Sequence, residues 1–115
     1  MHELGILYEA VQMADQAAKD NGVKKVSALQ LEVGELSGCV PRFFEMYYPM
    51  VIEDFPTMKE SRLMIDIVKG EGLCNECGAL YNVMRNEGKC PACGSRDKKI
   101  ISGRDFMVKN ILVEE

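Results

Sequence analysis

From Glu3 to about Asn21 apolar positions recur every three or four residues. Leu4, Leu7, Val11, Ala14 and Ala18 form a stripe that Ile6, Ala10, Met13 and Ala17 widen, which is the spacing of one helix face. Glu9, Gln12, Asp15, Gln16, Lys19 and Asp20 are left to an outer face. Asn21-Gly22 predicts the stop, because glycine takes the left-handed conformation that closes a helix. The period then changes to two: Leu29, Leu31 and Val33 alternate with Gln30 and Glu32 in a strand that reaches back to Val26 and ends at Gly34,. Pro41 is suited to the first turn of a second helix, whose apolar faces are Phe43, Phe44, Met46, Tyr47 and Met50,. Pro49 removes an interior hydrogen bond, so this helix is expected to kink or to break and restart there, with Pro56 as the firmer end. A second strand alternates Leu63, Ile65 and Ile67 with Met64, Asp66 and Val68. Gly70-Glu71-Gly72 reads as a flexible connector, Ser95 to Lys99 as polar turn, and Gly103 to Val113 as a long third strand.

The order helix, strand, helix, strand, cysteine segment, strand predicts an α+β fold: a small three-stranded sheet with two helices, plus an inserted four-cysteine zinc-ribbon module. Residues 1–70 and 103–115 would form the α/β domain and residues 71–102 the zinc-binding domain.

The chain has 115 residues, of which 47% are hydrophobic and 28% charged, a globular composition that excludes a mainly disordered protein. No apolar run approaches the roughly 20 residues that span a bilayer. The first residues lack a basic segment and carry Glu3, Glu9 and Asp15, unlike a secretory signal, so the expected location is cytoplasmic. The net charge of −4 argues against a dedicated nucleic-acid binder,. Between Arg85 and Lys109, however, seven basic residues face three acidic ones, which keeps a zinc-ribbon module for nucleic acid or a transcription complex as the alternative function.

Five cysteines in a cytoplasmic chain do not suggest a disulfide framework,. Four form two CxxC-G knuckles, Cys74-Asn75-Glu76-Cys77-Gly78 and Cys90-Pro91-Ala92-Cys93-Gly94, with twelve residues between them. Two intervening residues let both thiolates of a pair reach one cation, and glycine lets backbone N–H groups turn toward sulfur. Two pairs complete a tetrahedral sulfur shell, the structural zinc arrangement, with iron in a rubredoxin-like site as the main competitor. A closed shell disfavours hydrolytic catalysis, and the chain shows no glycine-rich phosphate loop and no second histidine, so no enzyme activity is expected. Cys39 stands apart and reads as a small, half-buried apolar residue.

The chain opens Met1-His2-Glu3, and His2 is its only histidine. By itself this is an exposed residue ahead of a helix. A terminal amine, adjacent amide nitrogens and an imidazole on so short a tether also make a nitrogen donor set suited to Ni(II) or Cu(II), which prefer square-planar nitrogen geometry.

The Met-His-Glu start, the Val33-Gly34-Glu35-Leu36-Ser37-Gly38 segment, the two knuckles and Ser102-Gly103-Arg104 together resemble the HypA/HybF family of hydrogenase nickel-incorporation proteins, over essentially the whole chain. The resemblance implies a nickel metallochaperone that helps insert Ni(II) into [NiFe]-hydrogenase. It places transient nickel on Met1, His2 and Glu3, and structural zinc on Cys74, Cys77, Cys90 and Cys93. Its implied partners are the accessory GTPase HypB, the hydrogenase large subunit and, in some bacteria, urease maturation proteins. Some relatives have an acidic residue after the Gly-Glu-Leu-Ser-Gly segment. This chain has Cys39-Val40-Pro41 there, so no extra carboxylate ligand is expected. The last strand leaves an edge through which two copies could pair as a homodimer.

Overall fold

The computed structural model describes residues 3–113. Helix α1 spans Glu3–Asp20, strand β1 Val26–Gly34, helix α2 Pro41–Val51 and strand β2 Arg62–Val68. Short strands β3 (Glu71–Cys74), β4 (Leu80–Asn82) and β5 (Lys98–Ser102) follow, and β6 (Phe106–Val113) closes the chain. One sheet has the order β2-β1-β6 and a second the order β4-β3-β5. The fold is therefore the expected α+β arrangement, with the cysteine segment inserted in the chain between the last two strands of the first sheet. Among the described residues no helix is long and apolar enough to cross a membrane.

The chain divides into two compact units. The first holds the residues up to Glu32, then Val40–Asp66, and those from Met107 on. Its buried apolar side chains come from α1 (Leu7, Val11, Ala14), β1 (Leu29, Leu31), α2 (Phe44, Tyr48) and Met58. The expected helical stripe supplies this core, except that Leu4 and Met13 remain exposed. Asp15, expected on the outer face, is buried. Its Oδ1 accepts the Thr57 hydroxyl at 2.6 Å and the Thr57 N–H at 3.1 Å, while Lys19 reaches Oδ2 at 3.0 Å. Partners for every lone pair in use make this burial tolerable.

Helix α2 runs through Pro49 to Val51 without restarting, then passes into single turns at Ile52–Asp54 and Pro56–Met58. The proline leaves the Glu45 carbonyl without its usual donor. It stands on the exposed side of the helix, while Phe44, Tyr48 and Val51 are buried on the other, so core burial outweighs one lost bond.

The second unit comprises Val33–Cys39 and Ile67–Phe106. Strand β3 pairs antiparallel with β4 (Gly72 opposite Tyr81, Leu73 opposite Leu80) and with β5 (Leu73 opposite Lys99, Cys74 opposite Lys98). The stretch read as a flexible connector is thus largely strand, and Lys98 and Lys99, read as turn, begin β5. A Cβ on Gly72 would touch the Lys98 and Val83 side chains at 3.1 Å, so its glycine serves close packing rather than looseness. Gly103 and its neighbours up to Asp105 are not strand; β6 starts only at Phe106. Gly103 has φ +83°, and a Cβ there would lie 2.5 Å from the Gly70 Cα. The Gly34 position is closed in the same way by the Gly103 carbonyl. Backbone bonds stitch these passages together: Glu35 N–H to Val68 O at 2.9 Å, Leu36 N–H to Gly103 O at 2.7 Å and Gly34 N–H to Asp105 O at 2.9 Å.

Candidate metal centre

Each knuckle is made by the same two backbone bonds. The Cys74 N–H donates to Ala79 O at 2.9 Å and the Gly78 N–H to Cys74 O at 3.0 Å; the Cys90 N–H donates to Ser95 O at 2.9 Å and the Gly94 N–H to Cys90 O at 2.7 Å. Gly78 and Gly94 sit at φ +78° and +80°, where a side chain would be strained,. β3 carries Cys74 into the first turn. The second follows the segment after β4, so the two knuckles come to face one another.

The four sulfurs lie within 4.8 Å of one another, with Cys74 and Cys93 at 3.6 Å and Cys77 and Cys90 at 3.6 Å. A tetrahedral ion with bonds of about 2.3 Å to sulfur needs sulfurs about 3.8 Å apart, so the donor set fits one such ion. Cys74 and Cys90 are buried and form a small core with Tyr81, against which Ala79 and Val83 pack; Cys77 and Cys93 are exposed.

Backbone N–H groups of Cys77 and Glu76 point at the Cys74 sulfur and, despite its burial, pull its pKa down to about 7. Burial pushes Cys90 up, but the N–H groups of Cys93 and Ala92 outweigh it and the net shift is downward. The exposed members go the other way. The Ser95 N–H lowers Cys93, yet its hydrogen bond to the Cys74 sulfur and its desolvation push it up to about 12. The Ala79 N–H lowers Cys77, but the bond to Cys90 and desolvation together outweigh it, and the net shift is upward. The buried thiols are thus the readier to give up their protons and the exposed ones the slower, and a bound dication would take the place of protons on all four.

The remaining candidates are scattered. Met1 and His2 lie outside the described residues. Glu3 opens α1 and is only 2% exposed, with its Oε2 accepting the Val40 N–H at 2.9 Å. The segment after Gly38 thus offers Glu3 a backbone donor. Cys39 is half-buried, with its N–H on Ser37 Oγ at 3.2 Å, and is not part of the four-sulfur group. Among the described residues that group is the one cluster of at least three cysteine, histidine or carboxylate side chains placed to hold an ion.

Sequence reading gave Glu35 no role beyond its place in the Gly-Glu-Leu-Ser-Gly segment. Its Oε1 accepts the Gly70 N–H at 2.7 Å and the Asn82 amide at 3.1 Å, which ties that segment to β4. These bonds, Gly70 first, hold its carboxyl below the usual range.

Comparison with known proteins agrees with this anatomy. A family model described as "Hydrogenase/urease nickel incorporation, metallochaperone, hypA" matches residues 1–113. The chain is 35% identical over 114 residues to the hydrogenase maturation factor HypA of Geobacter metallireducens, covering 99% of this chain and 100% of the relative. It is 30% identical over 115 residues to the HypA of Chlorobium luteolum, covering 100% and 97%. The solution structure of the Ni metallochaperone HypA from Helicobacter pylori shares the fold, with a TM-score of 0.67 at 22% identity over 98% of this chain and 97% of that one.

Proposed function

The chain belongs to the HypA family of hydrogenase/urease nickel-incorporation metallochaperones, and on that footing we propose that it carries Ni(II) on Met1, His2 and Glu3 and keeps Zn(II) on Cys74, Cys77, Cys90 and Cys93. The observation that carries the nickel reading is the position of Glu3 as the first residue of α1. The first four N–H groups of a helix have no intrahelical acceptor. Giving up the Glu3 amide proton to bind nickel therefore breaks no helix bond. The positive end of the helix dipole also favours an amide anion there.

Charge bookkeeping favours the same ligands. A neutral amine, a neutral imidazole and two deprotonated amides of His2 and Glu3 exactly cancel a dication, so no net positive charge is left at the helix N-terminus. The Glu3 carboxylate holds Val40 and acts as an anchor; the amide is the donor. Zinc, when bound, supplies a redox-inert tetrahedral cross-link between the knuckles. Soft sulfur retains it, while the nitrogen seat holds nickel at micromolar-class strength, about 8 kcal/mol, weak enough to give up.

On this reading the chain itself hydrolyses no nucleotide. It works in the cytoplasm with the GTPase HypB and the [NiFe]-hydrogenase large subunit, and with urease maturation proteins where urease is a client. Titration calorimetry of the His2→Ala variant is the test. It is expected to lose the nickel isotherm while retaining zinc and the wild-type circular dichroism; undiminished stoichiometric nickel binding would overturn the assignment.

A further inference from the structure

The two knuckles present their sulfurs unequally. Cys74 and Cys90 are each 2% exposed and belong to the core around Tyr81, whereas Cys77 and Cys93 are exposed. An oxidant arriving from solvent meets Cys77 and Cys93 first. Each exposed sulfur is already in contact with a buried one of the opposite knuckle: Cys93 with Cys74, and Cys77 with Cys90, both at 3.6 Å. Each contact has only about 1.5 Å to close to reach the roughly 2.05 Å of a disulfide. The bonds that shape each turn, from the Cys74 and Cys90 N–H groups to Ala79 and Ser95, stay in place.

We propose that the four-cysteine centre is a peroxide-responsive modification site, in which Cys77 and Cys93 are oxidised first and are resolved across the knuckles by Cys90 and Cys74, releasing the bound ion. The reaction balances with hydrogen peroxide as oxidant. In the loaded centre, where the ion would hold all four sulfurs deprotonated, the Cys93 thiolate attacks one peroxide oxygen, the O–O bond breaks, and a sulfenic acid and hydroxide form. The Cys74 thiolate then attacks the Cys93 sulfur; the S–S bond forms as the S–O bond breaks, and a second hydroxide leaves. The two sulfurs lose two electrons and the peroxide gains them, and two protons convert the hydroxides to water. Cys77 and Cys90 repeat the sequence. With no thiolate left the ion dissociates, and the disulfides join the knuckles where the ion had joined them. Release of the ion rests on the zinc reading above, whereas the pairing depends only on where the four sulfurs stand.

The experiment uses the full-length chain reconstituted with zinc. Metal content is measured first, and a chain that takes up no zinc counts against the zinc reading. Hydrogen peroxide is then titrated in, released zinc is read with a chromogenic chelator, and disulfides are mapped by mass spectrometry of unreduced peptides. The expected result is complete zinc release at about two peroxides per ion, with Cys74–Cys93 and Cys77–Cys90 as the linked pairs. Cys39 stays alkylatable, and zinc is taken up again after reduction. Linkage within the knuckles, a disulfide to Cys39, or zinc retained through a tenfold excess of peroxide would each overturn the proposal.

Discussion

Asp15 shows how much one buried carboxylate contributes. Burial pushes its pKa up, but the Thr57 hydroxyl, Lys19 and the Thr57 N–H outweigh this, and the net shift is downward. Its folded value therefore lies below its unfolded one, near 3.9. The stabilisation is complete above about pH 4 and is lost as pH falls through the folded value. At neutral pH the Asp15→Asn variant should be less stable by about 2 kcal/mol in urea unfolding. That gap should narrow below pH 4; an equal gap at pH 3 and pH 7 would mean that the charge is irrelevant. Sequence periodicity could not place this residue. It sees a polar side chain on the shoulder of the apolar stripe, while the group that satisfies it, Thr57, lies in a turn beyond the second helix. Glu3 was singled out from sequence, but the burial of its carboxylate against Val40 was not, for the same reason.

Among the elements, α1, β1, α2 and β2 were legible because each buries one face, and burial imposes a period on the sequence. What misled was glycine. A Gly-Glu-Gly stretch looks the same whether it is a loose tether or a place where backbones touch, and only the neighbours decide. At Gly70, Gly72 and Gly103 the neighbours are within contact distance of an added Cβ. Gly103→Ala should therefore destabilise the protein by about 2 kcal/mol or more, since it combines a left-handed conformation with a backbone clash. Gly5→Ala, inside α1 with open space around it, should stabilise by up to about 1 kcal/mol,. Chemical denaturation of both variants checks the pair, and a neutral Gly103→Ala would show that the passage yields. Of the two outcomes expected at Pro49, a kink or a break, the break does not occur, because a residue that breaks isolated helices is carried here by the buried side chains around it.

At the scale of the whole molecule, the two units are stabilised by different means. The first has an extended apolar core. The second has, besides Val33, only Cys74, Tyr81 and Cys90 with two partly buried neighbours, too little apolar surface to hold its 47 residues by itself,. Metal binding should supply on the order of 10 kcal/mol there. Removing the ion with a strong chelator should disorder β3, β4 and β5 while α1 and α2 persist. In amide-resolved NMR, resonances from 71–102 should collapse toward random-coil positions while the helical signals remain. Unshifted ribbon resonances would show that the polypeptide suffices. The cysteine spacing made this unit readable from sequence. Its inclusion of Val33–Cys39 was not, because that depends on backbone bonds from Gly34, Glu35 and Leu36 to Asp105, Val68 and Gly103, which leave no trace in residue pattern.

The two bonds that close each knuckle, from Cys74 and Gly78 and from Cys90 and Gly94, run to acceptors close by in sequence. An arriving cation can therefore be held at one short turn before the other closes on it. Capture by the first makes capture by the second a ring closure over a short tether, whose entropic cost grows only slowly with its length. Residues inserted into that tether should therefore weaken retention only gradually, whereas a bulky substituent at either turn's glycine should abolish the chelate outright.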